Sequence, residues 1–315
     1  MSESTRRDFL KTSALVGGGL LTTDFLALTR AALAADPLPA MSIARWDEAA
    51  LAGADLVAAA VGLTEAAIAS LGGMERFVNK GDTVWIKPNI GWNRRPELAA
   101  NTNPDVVGAL VRMCRQAGAK TVKVGDHPCQ PARQAYRNSG IAKAVEAADG
   151  KMVYLDEKRF KDMELGGDYL KEWPVYMEVA DADLVINVPI LKHHGLTKVS
   201  MGMKNYMGVI GGNRSAWHQN MDACVTDITR FMKPRITVLD AVRVLTAHGP
   251  QGGDPDDVDV RGIVAASTDI VALDAYGATL LGHDPAEIGY VATAAGSGLG
   301  TMDFASLNPV EKTLT

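Results

Sequence analysis

One lysine and two histidines follow an apolar segment near the middle of the chain, where the sequence reads DLVINVPILKHHG from Asp183. Residues 184–188 are short and rich in branched aliphatic side chains, a pattern that predicts a buried β-strand. Lys192, His193 and His194 come soon after this strand. Ligands bind at the carboxyl ends of strands in open α/β sheets, so these three side chains are candidates for a binding or catalytic site.

Lysines and glycines continue beyond the two histidines as far as Gly212. Lysine side chains supply positive charge, and the backbone amides of glycine-rich loops can surround an anion. A carboxylate or phosphate is therefore one candidate ligand, held by Lys87, Lys192, Lys204 and amides of the segment 208–212, which contains Gly211 and Gly212. The glycine spacing matches neither a P-loop nor a dinucleotide fingerprint, so it does not indicate a nucleotide.

Other predicted strands also end in polar residues. The strand at 83–87 leads from Lys87 into Asn89, and Pro88 between them ends the strand and fixes the backbone. The remaining strand-end residues are Asp126 and His127 after 121–124, and Asp240 and Arg243 after 236–239. Because parallel strands deliver their carboxyl ends to one sheet edge, we predict a single polar cleft. Its expected members are Lys87, Asp126, Lys192, His194, Lys204 and Asn205.

A divalent transition metal is a second interpretation of the same residues, since imidazole and carboxylate groups are suitable ligands. His194 and Asp126 are the expected metal ligands. His193 and His194 point in different directions if the segment is extended, so only one should bind. Further candidate ligands are His127, His193, His218, Asp222 and Asp240. A lysine near histidine and aspartate could instead serve in proton transfer or Schiff-base chemistry.

Strands and helices alternate along most of the chain, which is typical of a mainly parallel α/β sheet covered by helices. The predicted strands are 83–87, 121–124, 152–155, 175–179, 184–188, 236–239 and 263–266. The clearest helix is 104–117, which has Asn103 as its cap, Pro104 in its first position and Gly118 at its end. A second helix is predicted at 270–281.

Two polar segments interrupt this alternation. Residues 156–173 carry charges and a glycine pair without clear periodicity, and we interpret them as a lid or an excursion from the sheet. Residues 248–259 concentrate Gly, Pro and Asp and are too polar for the core. Because this second segment follows a predicted strand, we expect it to cover the site.

The first residues predict export. Arg6 and Arg7 precede an apolar run at 13–28, and Ala32-Leu33-Ala34 supplies small residues for cleavage. The run is too short and too interrupted for a membrane span. We predict a twin-arginine signal peptide over 1–34, recognised by the twin-arginine export machinery, and a single α/β domain over 35–315. The mature protein should be periplasmic, without a stable membrane span, and about 280 residues can bury a substantial core.

Charge and cysteine content exclude several classes of protein. Removal of the signal changes the formal charge from −5 to −6, and no run of Lys and Arg supplies the basic face that nucleic acid requires. Cys114, Cys129 and Cys224 form no cluster motif, so an iron–sulfur cluster or structural zinc is not expected. Cys129 alone is considered as a ligand or reactive thiol. The sequence also lacks the nucleophile-elbow, zinc-helix and EF-hand motifs.

Several short motifs, taken in order, resemble the family called domain of unknown function 362. They are Lys87-Pro88-Asn89, Thr102-Asn103-Pro104, Gly125-Asp126, Asn187-Val188-Pro189, Leu191-Lys192-His193-His194 and Lys204-Asn205 ahead of Gly208. The resemblance as a whole extends over nearly the whole mature chain. By position, the resemblance identifies Lys192 and His194 with the family's Lys-x-His motif, and Lys204 with Asn205 as its Lys-Asn pair. Many relatives carry a four-cysteine ferredoxin-type module that this chain lacks, and the resemblance implies no particular reaction.

These observations together predict an exported enzyme that acts on a small anionic substrate, with metal dependence left open. The expected catalytic residues are Lys192, His194, Lys204 and Asp126, and the expected substrate-binding residues are Lys87, Asn89, Asn205, Gly211, Gly212 and Asp240. Two alternatives remain, a periplasmic protein that binds an anion or metal without catalysis and a partner subunit of a redox complex. An enzyme needs a proton-transfer group beside the ligand, whereas a carrier needs only complementary charge and closure.

Overall fold

The structure, a computed structural model, describes residues 38–315. The predicted signal peptide over 1–34 lies outside the described residues. At the centre of the described part is a ten-stranded mixed sheet, and five neighbouring strands of it run parallel. Helices cover both faces of this sheet. The predicted mainly parallel α/β fold is therefore confirmed.

The strands, in chain order, are β1 (Met41–Trp46), β2 (Thr83–Pro88), β3 (Thr121–Val124), β4 (Lys151–Met152), β5 (Phe160–Glu164), β6 (Glu172–Tyr176), β7 (Leu184–Val188), β8 (Ile190–His194), β9 (Lys198–Ser200), β10 (Ile236–Leu245), β11 (Val258–Ser267) and β12 (Val310–Leu314). The α-helices are α1 (Glu48–Leu51), α2 (Leu56–Ser70), α3 (Pro104–Gln116), α4 (Ala132–Asn138), α5 (Ile141–Ala147), α6 (Met177–Ala180), α7 (Gly202–Asn205), α8 (Met221–Met232), α9 (Ile270–Leu280) and α10 (Gly289–Gly296). Short 3₁₀ turns connect several of these elements.

The main sheet has the strand order β12-β1-β11-β10-β7-β2-β3-β4, and β8 pairs with β10 and β9 beside it. Strands β5 and β6 form a separate antiparallel hairpin. Side chains alternate across a strand, so β2 sends Val84 and Ile86 into a core shared with α2 and α3. Trp85 of the same strand enters the opposite core, where α8, α9 and α10 pack. Both faces of the central strands are thus buried, which explains their continuous apolar sequence.

Two helices begin where their capping residues predict. The Asn103 side chain accepts a hydrogen bond from the amide of Asp105, and Pro104 occupies the first position of α3. The Asp269 side chain likewise accepts from the amide of Ala272 at the start of α9. Both predicted helices are found, and each ends one residue earlier than predicted.

Several predicted strands differ from those in the structure. Strands β10 and β11 each have ten residues, while only four were predicted for each. The predicted strand at 175–179 is wrong, because β6 ends at Tyr176 and lies in the hairpin, and the following residues form α6. Strand β4 covers only Lys151–Met152. The lysine and histidines after Pro189 lie on a strand, β8, rather than in a loop.

Candidate functional site

A cavity of about 510 Å³ opens at the carboxyl ends of β2 and β3, beside β8 and α7. Eight of the predicted site residues line it, namely Lys87, Asn89, Asp126, Lys192, His194, Lys204, Asn205 and Gly212. His127, Cys129 and His218 also reach its wall. The structure therefore brings the polar residues of four separate segments of the chain into one cavity.

The backbone around α7 explains how Lys204 and Asn205 reach this cavity. The Asp274 carboxylate, buried on α9, accepts hydrogen bonds from the amides of Gly202 at 2.7 Å and Met203 at 2.9 Å. It thereby caps the first turn of α7 and fixes its orientation. A side chain on Gly202 would place its Cβ 2.7 Å from that carboxylate, so this close approach requires glycine.

Lys87 has three close oxygen neighbours, two through hydrogen bonds and one through an ion pair. Its Nζ lies 2.7 Å from Oδ1 of Asp126, 3.0 Å from Oδ1 of Asn205 and 2.8 Å from the carbonyl of Pro88. A lysine ammonium has three N–H groups, so none is left for a ligand. Burial lowers the pKa of Lys87, while the neighbouring Asp126 opposes that shift. We call Lys87, Asp126 and Asn205 the ion-pair cluster.

The other two members of the ion-pair cluster are also held by protein groups. Oδ2 of Asp126 accepts from the amide of Ile90 at 2.6 Å. The side-chain amide of Asn205 donates to the carbonyl of Lys87 and to Oδ1 of Asn187. Gly208 packs so closely that a Cβ there would lie 1.7 Å from Asp126 Oδ1. The ion-pair cluster consequently supports the cavity wall with its polar atoms already engaged.

Lys192 is buried in a different way. Its Nζ donates to the carbonyl of Ala100 at 2.6 Å and to Oδ1 of Asn89 at 3.1 Å. Within residues 38–315, the lysines that form ion pairs with carboxylates are Lys87, Lys123 and Lys198. Lys192 and Lys204 are therefore buried beside the cavity without a carboxylate partner in the described part of the chain.

Lys204 lies against His194. Its Nζ is 3.1 Å from Nε2 of the imidazole and 3.8 Å from the sulfur of Met207. The other ring nitrogen, Nδ1, accepts hydrogen bonds from the backbone amides of Leu196 at 3.1 Å and Thr197 at 3.4 Å. Burial, followed by the charges of the two lysines, lowers the pKa of His194 to about 3. The imidazole is therefore neutral at physiological pH.

These contacts determine which nitrogen of His194 carries the proton. A neutral imidazole has one N–H, and Nδ1 must present its lone pair because backbone amides only donate. The proton is then on Nε2, which donates toward Nζ of Lys204. To accept that hydrogen bond, Lys204 must offer a lone pair, so the bond forms with the uncharged amine, whose pKa burial lowers to about 8. We call Lys192, His194 and Lys204 the lysine–histidine cluster.

The same contacts bear on the charge of the two lysines in this cluster. Burial, followed by repulsion from Lys204, lowers the pKa of Lys192 to about 7, and burial lowers that of Lys204 to about 8. These values make Lys192 the weaker base, whereas its hydrogen-bond partners favour the protonated form. Lys192 faces two oxygen acceptors and Lys204 faces a donor. When Lys192 is protonated, its two oxygen acceptors leave a third N–H available to a ligand.

Arg214 adds a second cation to the cavity. Its guanidinium donates to the carbonyls of His127 at 2.8 Å and Pro128 at 3.0 Å. The sequence interpretation did not single it out, although it stands only two residues after Gly212. Other lining residues absent from that interpretation are Gly91, Trp92, Ser200, Met207, Asn213 and Ser215. The wall of the cavity thus combines positive charge with small and apolar surfaces.

Sequence comparison now identifies the family. The family described as "Domain of unknown function (DUF362)" matches residues 84–279. The chain belongs to this family. It is also 34% identical over 238 residues to the thylakoid-associated protein sll1697 of Synechocystis sp., an alignment that covers 73% of this chain and 72% of that protein. Among solved structures, the lactate racemase apoprotein of Thermoanaerobacterium thermosaccharolyticum matches with a TM-score of 0.48 and 11% identity, covering 74% of this chain and 55% of that one.

The candidate metal ligands of this DUF362 protein are engaged elsewhere. His127 Nδ1 lies 2.8 Å from the carbonyl of Ile210, and its Nε2 lies 3.2 Å from Glu157. His218 Nδ1 bonds the carbonyl of Ser215. Within residues 38–315, no group of three His, Cys, Asp or Glu side chains is placed to share a metal ion. Oδ1 of Asp126 lies 2.7 Å from Nζ of Lys87 and its Oδ2 accepts from Ile90, while both ring nitrogens of His194 contact protein groups.

Two predicted substrate-binding residues do not line the cavity. Asp240 is buried in the middle of β10, where it accepts from the amides of Asn103 at 2.7 Å and Val242 at 3.0 Å. It was expected at a strand end, but β10 continues five residues beyond it. Burial raises the pKa of Asp240 to about 6. Gly211 packs against Phe160, so it too belongs to the surrounding structure of this DUF362 domain.

The two irregular segments both approach the site. In the segment 248–259, Pro250 lines the cavity, and the amide of Gly249 donates to Nδ1 of His193 at 3.0 Å. His193 therefore holds this covering loop in place. In the segment 156–173, β5 and β6 form the hairpin, and the Phe160 ring lies 5.0 Å from that of His127. Of the three free cysteines, only Cys129 is exposed, on the wall of the cavity.

No helix within residues 38–315 is long and apolar enough to cross a membrane. Residues 39–315 form one compact unit that contains the whole cavity.

Proposed function

We propose that this DUF362 protein is an exported enzyme that acts on a small anionic substrate bound in the cavity above the parallel strands. One observation carries this proposal. Lys192 and Lys204 are buried beside His194 without a carboxylate partner in the described residues. A buried charge without a partner is costly, so a site that retains one favours a ligand of opposite charge.

Binding of the anionic substrate is assigned to Lys192 and Arg214, the cations that line the cavity without a carboxylate partner in the described residues. Lys192 contributes the N–H group that Ala100 and Asn89 leave unused. Arg214, anchored on two carbonyls, adds positive charge to the cavity lining. A carboxylate or phosphate accepts hydrogen bonds from such groups, and a partly enclosed site strengthens the attraction.

Catalysis is assigned to Lys204 and His194. An uncharged lysine amine can accept a proton from a substrate carbon or hydroxyl, and the proton would pass to Nζ. The Nε2–H group of a neutral imidazole can then stabilise the negative charge that develops on the substrate. A carrier needs charge complementarity but no base, so the amine favours an enzyme over a carrier.

Ligand binding provides the test of this assignment. Titration calorimetry of the full exported chain with succinate, malonate and inorganic phosphate should detect binding. Lys192→Met should weaken the affinity for the bound anion by well over the tenfold that about 1.4 kcal/mol represents. The matched control is Lys143→Met, which removes the same charge from an exposed position on α5. Equal effects of the two substitutions, or no binding of any of these anions, would contradict the proposal.

Export is a separate part of the proposal and rests on the first residues of the chain. Arg6 and Arg7 precede the apolar run and the small residues Ala32-Leu33-Ala34 of the predicted cleavage site. The thylakoid-associated name of the cyanobacterial relative is consistent with a location outside the cytosol. Changing both arginines to lysine should abolish delivery by the twin-arginine route. Unchanged periplasmic levels of that double variant, measured by cell fractionation, would reject export by this route.

A further inference from the structure

We propose that Lys204 forms a covalent imine with the carbonyl group of a 2-oxo acid, while Lys192 binds the carboxylate of the same molecule. This inference rests on the proposed function, because it names the substrate class and the bond formed in that site. It requires an uncharged nucleophilic amine, access to the cavity, and an adjacent cation. The lysine–histidine cluster supplies all three.

The contacts of Lys204 leave its nitrogen available for covalent chemistry. Nζ lines the cavity, and its hydrogen-bond contacts within the described chain are Nε2 of His194 and the sulfur of Met207. A new bond at Nζ therefore breaks no ion pair. Lys87 is the internal contrast, because its three oxygen acceptors hold the nitrogen as an ammonium, which has no lone pair.

Lys192 gives the substrate its orientation. Its Nζ is fixed by the carbonyl of Ala100 and the side chain of Asn89. Lys192 and Lys204 line the same cavity. In a 2-oxo acid the carboxylate is bonded directly to the carbonyl carbon. A carboxylate on Lys192 consequently brings the electrophilic carbon toward Lys204.

The reaction balances without any further reagent. The Nζ lone pair attacks the carbonyl carbon, and the electron pair of the C=O bond moves to oxygen. A proton passes from nitrogen to that oxygen, which gives a carbinolamine, and loss of water then leaves the C=N bond. Once the lone pair of Lys204 Nζ bonds to carbon, it no longer accepts from the Nε2–H of His194. That N–H can then donate to the developing oxyanion. The net change is amine plus ketone to imine plus water.

Reductive trapping tests this step on the full chain. The protein is incubated with pyruvate and sodium cyanoborohydride, digested, and analysed by peptide mass spectrometry. We expect one adduct, on Lys204, formed at least tenfold faster than any adduct on the exposed Lys143. Acetone has the same ketone without the carboxylate and should label Lys204 at least tenfold more slowly than pyruvate. Lys192→Met should remove that preference for pyruvate.

The possible results separate this inference from the function on which it rests. If succinate binds and Lys192→Met abolishes that binding, but pyruvate leaves Lys204 unlabelled, the imine is rejected and the anion site stands. Labelling of Lys204 no faster than Lys143, or equally by acetone and pyruvate, also rejects the inference. If neither succinate nor pyruvate binds, both proposals fail. A folded Lys204→Arg variant that still gains the single adduct would assign it to another lysine and reject the inference.

Discussion

The ion-pair cluster and the lysine–histidine cluster line the same cavity and both contain buried lysines, yet the partners of these lysines differ. Lys87 is saturated by three oxygen atoms, one of them from a carboxylate. Lys204 faces an imidazole N–H and a thioether. Both lysines are buried, so burial does not distinguish a supporting residue from a reactive one. The hydrogen-bond partners make that distinction.

The two clusters should therefore respond oppositely to loss of a lysine. Removal of one member of a buried ion pair leaves the other charge without compensation. Removal of an unpartnered buried amine relieves a desolvation cost instead. Stability measurements can consequently separate the two kinds of lysine without knowledge of the substrate.

The largest effect is expected from Lys87→Met. The substitution leaves the Asp126 carboxylate buried without its cationic partner, so the free energy of unfolding should fall by about 3–5 kcal/mol. Urea denaturation of purified protein measures this change. Lys204→Met is the matched variant and should leave stability unchanged or raise it. Equal losses in the two variants would show that the clusters do not differ as described.

A smaller effect is expected from Gly208→Ala. The added Cβ would overlap Oδ1 of Asp126, so the ion pair must shift, at a cost typical of overpacking of about 1–3 kcal/mol. Gly53→Ala is the control, because a Cβ there meets no atom within 4 Å. Urea midpoints should fall clearly for Gly208→Ala and hardly for Gly53→Ala. Identical midpoints would indicate that Gly208 does not support the pair.

A pH dependence provides a further test of the lysine–histidine cluster. Folding lowers the pKa of Lys192 from 10.5 to about 7, so the unfolded chain binds the proton more tightly. Stability is then fully present above the unfolded pKa and is lost as the pH falls toward about 7. The slope from one group is at most about 1.4 kcal/mol per pH unit.

Urea denaturation of wild type and Lys192→Met across this pH window checks the slope. The stability of the wild type should decline more steeply, as the pH falls, than that of the variant. The difference between the two proteins cancels the contribution of other titrating groups. Parallel curves would mean that the pKa of Lys192 is not depressed by folding.

Much of the fold could be predicted because its central strands obey simple local rules. Strands β3 and β7 were predicted without error, since each is a short run rich in β-branched residues that ends at Gly125 or Pro189. The cavity followed from the rule that parallel strands deliver their ends to one edge. Strand β8 was missed because Pro189 ends β7 and the polar residues Lys192 to His194 follow after only two apolar ones, yet the chain resumes as a strand paired with β10.

The chemical state of the site could not be predicted, because it depends on partners distant in sequence. Lys87 precedes Pro88 and Lys204 precedes Asn205, and these short motifs predict the same ligand-binding role for both lysines. Only the folded chain shows that one meets Asp126 and the other His194. The proton on His194 depends likewise on the turn that directs two backbone amides at Nδ1.

The position of that proton tests the central claim most directly. Nitrogen NMR of histidine-labelled protein, with the His194 signals assigned by their loss in His194→Gln, reports which ring nitrogen is protonated. Near the Lys204 pKa of about 8 and above it, we expect a protonated Nε2 and an unprotonated Nδ1. A proton on Nδ1, with Nε2 accepting from Lys204, would make Lys204 an ammonium and would contradict the account.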